Sequence, residues 1–547
     1  MDSDPLLPGS DPLPGVVDYQ GRPVSHSSSG RWRSALFIIG VEITERFAYY
    51  GVSSNLITYL TGPLHQSTAA AAASVNAWNG AASLLPLLGA FVADSWLGRY
   101  RTILVASCLY LLALVMLTLS STLPFLQPPD CSGIMDPTAC SVPVFQLIFF
   151  YFSLYLVAIA QSGHKPCVQA FGADQFDQNA PDELAERSSF FNWWYFGMCG
   201  GNIFTISILN YVQDNVGWGL GFGIPCMVMS IALIIFLAGT RTYRFYPIQK
   251  ESPFTEVSKF IVALVRGHEK NNIIKQVNEA ESSGLNYTKE AKELLKLFPI
   301  WATCLVYALV FAQWSTFFIK QAATLDRRIG PTFQVPPAAL ASFINVSVVI
   351  FLPIYDKVIV PLVRKITKTP SGITMLQRIG IGMMVSLLSM VIAALVEMKR
   401  LKTARDYGLV DEPGVPIPMS LWWIIPQYIL VGMADVFTMV GLQEFFYDQV
   451  PDQWRSLGLS LYLSIFGIGS YISSFTVSLI DKITTENGGS WFTNNLNQGH
   501  LDYFYWLLAG LSAVAFLAYY FFAQAYVYKN KEEHVIDKFV EPRSIRS

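Results

Sequence analysis

Charge is what this sequence has least of. Of its 547 residues only 14% are Asp, Glu, Lys or Arg, where a soluble domain carries about 25%. No basic run offers a footprint for nucleic acid. No glycine-rich phosphate loop and no H-E-x-x-H run is present, so the chain is not expected to be an enzyme or to hold a metal or other cofactor. The first thirty residues are polar, rich in Pro, Ser and Gly, and lack the apolar core of a cleaved signal peptide. The first apolar stretch is therefore expected to serve as its own insertion signal. The seven cysteines are scattered.

Apolar sequence is abundant instead. Hydrophobic residues make up 52% of the chain and aromatics 14%, and the mean hydropathy is +0.39. Stretches near the 20 or so residues that cross a bilayer recur at 35–60, 74–94, 102–122, 144–166, 189–212, 218–240, 294–320, 336–363, 375–396, 420–446, 456–480 and 502–528. A spanning chain must satisfy its backbone internally. The expectation is an all-α polytopic membrane protein of about twelve transmembrane helices in two six-helix bundles. Its parts read as a tail (1–34), a first bundle (35–240), a polar insert (241–293), a second bundle (294–528) and a closing tail (529–547). In the insert, Val257, Phe260, Ile261, Leu264 and Val265 recur at helical spacing, the pattern of an amphipathic helix.

Lys and Arg set the orientation. Arg22, Arg31 and Arg33, then Arg99 and Arg101, then the insert and Lys529, Lys531 and Lys538 all fall on one side, read as cytosolic. The loop 123–143 has neither Lys nor Arg and is expected outside. Cys131 and Cys140 share that loop, where a disulfide could persist. One loop disagrees: Lys399, Arg400, Lys402 and Arg405 are outside by parity yet basic.

The first span reads VEITERFAYYG over 41–51. A charge in the hydrocarbon core costs roughly 2.5–3.5 kcal/mol on insertion scales, and here there are three. Glu42, Glu45, Arg46 and Tyr49 fall at i, i+3, i+4 and i+7, one stripe of a helix. Acid and base on one stripe can pair, leaving one acid without a partner on this helix. A carboxylate taken out of water can exchange its proton near neutral pH, which suits proton coupling; a structural ion pair pinning helices is the alternative. Lys165, beside His164, could supply the missing cation, with His164 itself read as a satisfied helix residue. Lys320 ends the seventh span, Asp435 lies in the tenth, and Glu444 stands near its end as a capping or interfacial group. The first half thus reads as positive-leaning and the second as acidic, a cavity suited to a zwitterion or an anion.

The stretch EITERFAYYG resembles the E-x-x-E-R-F-x-Y-Y-G motif of the proton-dependent oligopeptide transporter family. KPCVQAFGADQFD (165–177) and FNWWYFGMCGGN (191–202) resemble further motifs of that family. With FPIWATC (298–304) and TLDRRIG (324–330), the wording is most similar to its plant nitrate and peptide transporter branch. GAFVADSWLGRYRT (89–102) resembles the cytosolic loop of the major facilitator superfamily, with Gly89, Asp94, Gly98 and Arg99 as a conformational loop.

The resemblance implies a proton-coupled secondary transporter of small nitrogenous solutes, di- and tripeptides or similar amines, driven by the proton gradient without a cofactor. A nitrate transporter, or a solute sensor with little flux, is the alternative. Glu42, Glu45, Arg46 and Lys165 would couple the proton. Tyr49, Tyr50, Arg46, Lys165, Phe311 and Asp435 would face substrate. Asp435 stands where peptide transporters have a glutamate, one methylene longer. Cys199 stands where the motif usually has Asn. Phe311 replaces a His of a nitrate-binding member and cannot donate a hydrogen bond to an anion. The partners implied are a small solute, protons and the bilayer. Asp2 followed by Leu6 and Leu7 forms an acidic dileucine pattern for a trafficking adaptor, favouring the vacuolar over the plasma membrane.

Overall fold

The computed structural model describes residues 12–25, 29–129, 142–177, 180–246, 284–331, 333–367, 373–450, 455–486 and 488–526. The dileucine residues Asp2, Leu6 and Leu7, the pair Cys131 and Cys140, the amphipathic stretch 257–265 and the tail 529–547 lie outside them.

Twelve helical columns are formed by the described residues. The first half holds α1 (Arg31–Ser53), a short α2 (Leu56–Thr61), α3 (Thr68–Val92), α4 (Arg99–Thr122), α5 (Val144–Ala173), α6 (Pro181–Asn215) and α7 (Trp218–Gly239). The second holds α8 (Gly284–Phe311) continued by α9 (Phe317–Ala323), and α10 (Ser342–Ile354) continued by α11 (Val360–Thr367). It closes with α12 (Met375–Asp406), α13 (Ile425–Asp448), α14 (Arg455–Glu486) and α15 (Leu501–Ala525). Ten described helices are long and apolar enough to cross a membrane. The others are α1, interrupted by Glu42, Glu45 and Arg46, and α6, which carries Asn192, Asn202 and a Trp-Trp-Tyr run.

Large apolar side chains such as Ile148, Phe152, Ile234, Leu388, Val514 and Phe521 are exposed on the outer surfaces of these helices. In water such a belt would drive association; in a bilayer it is the lipid-facing surface. The protein is an integral membrane protein. Pro86, Pro166, Pro225, Pro299 and Pro353 lie inside helices, which a membrane bundle tolerates because neighbours re-satisfy the freed backbone groups.

The face where α1 begins and α15 ends is called proximal here, the opposite one distal. On the proximal face Pro12–Val17 pairs with Pro23–Ser25 as a hairpin. Its turn is held by Asp18 Oδ1, which accepts from the Gln20 and Arg22 backbone N–H at 2.8 and 2.9 Å. These bonds and the Arg22 side chain hold the Asp18 carboxyl below the usual range. Val17 exchanges backbone bonds with Phe245, at 3.0 and 2.9 Å, tying the hairpin to the segment after α7.

Two expectations are corrected. The first span, expected over 35–60, is α1 ending at Ser53 followed by the separate α2. The ninth, expected to stop near 396, runs to Asp406, opened by a capping box of Thr374 and Gln377. That extension makes Lys399, Arg400, Lys402 and Arg405 helical and takes Arg400 into the interior, but Lys399, Lys402 and Arg405 stay exposed on the side expected outside, so the disagreement in loop charge is reduced rather than removed. Arg400 is fully buried. It donates to Glu397 at 2.8 and 2.5 Å, to Asn497 at 2.7 Å and to the Leu496 carbonyl at 2.8 Å. Lys399 lies over the Trp423 ring, 3.2 Å from its centre. Hydropathy ended the span where the charges began, but the helix continues because Glu397 neutralises Arg400 inside it.

Candidate transport site

Glu42, Glu45 and Arg46 are all buried on the inner face of α1. Arg46 Nε donates to Glu42 Oε1 at 2.9 Å and lies 2.8 Å from Glu45 Oε2. Both carboxylates thus lie against one guanidinium, but only Glu42 accepts a hydrogen bond from it, so the expected acid without a partner survives in part as Glu45, held by charge alone. Glu42 Oε2, both carboxylate oxygens of Glu45 and Arg46 Nη2 make no hydrogen bond. The arrangement is poised rather than saturated, since a buried charge pair gains most when its remaining atoms are also bonded.

Lys165 of α5 is half-buried and within electrostatic reach of Glu42 and Glu45. No acid lies within 4.0 Å of it among the described residues. Two carboxylates, Arg46 and Lys165 make the first-half cluster charge-balanced, not positive-leaning as the sequence suggested. His164 is corrected as well. It is fully buried, and neither ring nitrogen is bonded.

Below Arg46 lies Tyr49, whose ring centre is 5.8 Å from the guanidinium carbon. Tyr49 stacks on Trp78 at 5.6 Å and meets Tyr50 edge-on at 5.4 Å. Trp78 is locked by its Nε1 donating to the Leu154 carbonyl at 2.8 Å. Tyr50 neighbours buried Cys199 and is the α1 side chain within electrostatic reach of Asp435 in the other half.

Asp435 on α13 accepts from the Tyr307 hydroxyl at 2.6 Å. Tyr307 lies one turn before Phe311 on α8, and their rings are 6.4 Å apart. Phe311 also meets Phe466 at 5.8 Å and Trp314 at 6.3 Å, and Tyr462 meets Phe466 at 5.7 Å. The second-half side is thus one carboxylate among aromatic rings. Glu444 is half exposed and 3.8 Å from Arg378, away from this cluster.

The loop residues also come together. Gly89 lets α3 lie against α5, since a Cβ there would stand 2.0 Å from the Ser162 carbonyl oxygen. Gly98 has φ +76° and ψ 154°, a region open essentially to glycine alone. Arg99 at the start of α4 binds Asp174 at the end of α5 and lies 3.6 Å from Asp94.

The hydrogen bonds seen between the halves among the described residues gather on the distal side. Asn76 donates to Ser473 at 3.0 Å, Ser474 to the Ala73 carbonyl at 2.8 Å, and Asn79 to Ser315 at 3.3 Å. Lys320, in the last turn of α9 at the end of the seventh span as expected, donates to Thr61 at 3.2 Å. Ser207 and Ser342 are 3.0 Å apart. On the proximal side the ion pairs Arg31–Glu186, Arg99–Asp174, Arg244–Glu183 and Arg378–Glu444 each stay within one half.

Sequence reasoning missed Tyr307 and Tyr110. The first shares a helix face with Phe311 at i, i+4 and could have been found from that spacing. The second, buried beside Glu45 on α4, is brought there only by the packing.

A sequence profile described as the POT family matches residues 100–494. The chain is 58% identical to the Arabidopsis thaliana protein named Protein NRT1/ PTR FAMILY 5.10, over 94% of this chain and 96% of that one. It is 52% identical to Protein NRT1/ PTR FAMILY 5.14 of the same plant, over 94% and 96%. Among solved structures, an auto inhibited POT family peptide transporter superposes with a TM-score of 0.72 at 20% identity, covering 91% of this chain and 98% of that one. A POT family transporter in complex with 5-aminolevulinic acid gives 0.64 at 17% identity, covering 89% and 95%. At these identities the structures speak for the shared fold.

Proposed function

The chain belongs to the POT family, and from that premise we propose that this transporter couples protons to the movement of small amine-bearing solutes, di- and tripeptides or similar molecules, by alternating access. The observation that carries the reading is Arg46 Nε lying 2.9 Å from Glu42 and 2.8 Å from Glu45, on a helix that faces Asp435. Protonating either carboxylate loosens its hold on Arg46 and frees the guanidinium for a substrate carboxylate. Asp435, steered by Tyr307, takes the amine. A relative of the same fold is described in complex with 5-aminolevulinic acid, a molecule with an amine at one end and an acid at the other, which supports a site of this polarity.

The gathered distal contacts support a state closed on that side, with the proximal side cytosolic by its Lys and Arg. The glycines and the Arg99 links hold the helix ends that rock, and the proton gradient drives the cycle without a cofactor. The dileucine pattern supports residence in the vacuolar membrane through a trafficking adaptor.

Nitrate is the second reading. It is favoured by Lys165, a cation with no ion-pair partner within 4.0 Å among the described residues, which together with Arg46 could hold a lone anion. Voltage-clamped current at acid external pH separates the two, using a Leu6→Ala, Leu7→Ala variant to favour surface delivery. Current with dipeptide alone supports the amine reading, and Glu45→Gln should then abolish proton-driven accumulation. Current with nitrate alone overturns it. No current with either, from protein shown at the surface, points to another solute or a sensor.

A further inference from the structure

α5 places His164 with its imidazole fully buried and both ring nitrogens unbonded. Buried polar groups are normally satisfied, and exceptions gather where chemistry needs them. A ring nitrogen and one carboxylate oxygen each from Glu42 and Glu45 all lie within 4.8 Å of one another. Such a trio could ligate a metal, but the Arg46 guanidinium already sits 2.9 and 2.8 Å from the two carboxylates. A metal cation would meet a fixed positive charge there. Around His164 stand Glu42, Glu45 and Arg46 from α1 and Lys165 beside it on α5. Tyr110 of α4 is buried, with its hydroxyl facing Glu45. On α6, Cys199 neighbours Tyr50, one turn from Arg46, and α3 carries no titratable side chain.

We infer that His164 is a proton relay serving the Glu42–Glu45 pair. Neutral imidazole is donor at one nitrogen and acceptor at the other. A hydronium ion reaching the site gives its proton to the accepting nitrogen, forming a new N–H bond and leaving water. The N–H bond at the other nitrogen breaks, and its proton passes to a carboxylate oxygen. The ring ends neutral in the opposite tautomer, and a ring flip resets it. A separation of up to 4.8 Å is closed by one side-chain rotation or one bridging water. The relay rests on the reading that Glu42 and Glu45 carry the coupled proton.

The test needs no transported solute. Full-length protein in lipid nanodiscs is dropped from neutral to acid pH, and the infrared band of protonated carboxyl groups is followed in time. The component lost in Glu42→Gln, Glu45→Gln belongs to the pair. His164→Ala should form that component roughly tenfold or more slowly, to the same final amplitude, and imidazole in the buffer should restore the rate. His164→Asn keeps a polar side chain without a second exchangeable nitrogen. It should be as slow, without rescue, and it carries the test if the alanine variant fails to fold. If no component of the band is lost with both glutamates, the proton-coupling reading falls and the relay with it. If the component belongs to the pair but its rate is unchanged in the His164 variants, the relay alone falls. Lost amplitude at an unchanged rate makes His164 a positioning residue and also overturns the relay.

Discussion

Gly467 of α14 packs against Leu84 of α3 where the two halves meet. A Cβ there would stand 2.4 Å from Leu84 Cγ and 3.3 Å from the Gly80 carbonyl oxygen, while a Cβ on Gly80 would meet the Tyr471 ring at 2.8 Å. The two glycines allow α3 and α14 to close together, beside the Asn76–Ser473 hydrogen bond. Gly467→Ala overpacks this seam, in the middle stretch of α3 and α14, in the arrangement the structure shows. Overpacking costs about 1–3 kcal/mol. At about 1.4 kcal/mol per factor of ten, the ratio of distal-open to distal-closed molecules should rise roughly 5- to 150-fold. Spin labels at exposed Val216 and Val415, in a variant with the seven cysteines replaced, would report the distance between the distal ends of the halves. Pulsed electron resonance should show a longer distance growing at the expense of the shorter one. Adding Leu84→Ala removes the clashing side chain and should reverse much of the shift, a coupling that independent sites would not show. An unchanged distance distribution in folded Gly467→Ala protein would refute the idea that this seam closes the distal side.

Glu397→Gln leaves Arg400 charged and buried, so it should destabilise by about 3–5 kcal/mol. The thermal midpoint in detergent should fall, and pairing it with Arg400→Met should recover most of the loss. Gly98→Ala forces a side chain into backbone space suited to glycine and should cost about 1–3 kcal/mol, read as a lower midpoint in the same assay. Phe311→His adds a ring donor beside Tyr307 and Trp314. If Phe311 is what denies nitrate a contact, nitrate-evoked current should rise in this variant and dipeptide-evoked current should not.

Much of the fold was legible because a bilayer imposes one length on every span and leaves the backbone few choices. The stripe of Glu42, Glu45, Arg46 and Tyr49 was legible because helical spacing fixes which side chains share a face. What failed was the accounting of partners. Spacing places Arg46 beside both acids but does not say whether one guanidinium can reach both, which depends on side-chain rotamers and on what α4 and α5 press against the stripe. The end of α12 was misjudged for a related reason. A hydropathy window reads Glu397 and Arg400 as two polar residues, whereas three positions apart on a helix they cancel. Tyr110 left no trace, because a tyrosine in an apolar span looks the same whether it faces lipid or a carboxylate.

These failures share a cause that bears on how the site works. Hydropathy scores residues one at a time, but the free energy of a buried charge belongs to its set of partners. In α12 the set is complete: Arg400 is met by Glu397, Asn497 and a backbone carbonyl, and Glu397 also accepts from Gln321 at 2.8 Å. Such a cluster has little to gain from moving a proton. Around α1 the set is incomplete, with Glu42 Oε2, both oxygens of Glu45, Arg46 Nη2 and both nitrogens of His164 on α5 unbonded. An arriving proton or a substrate carboxylate can make bonds there that the resting site lacks. The two halves thus bury similar residues to opposite ends. The difference lies in unmade bonds, so filling them should slow the transporter even where it raises stability. Tyr110→Phe and Tyr110→His separate the two effects. The first should leave the Glu45 environment dry and transport largely intact. The second offers Glu45 a cationic partner and should slow proton-driven flux while raising the thermal midpoint. Faster flux together with a higher midpoint in Tyr110→His would show that the unmade bonds are incidental.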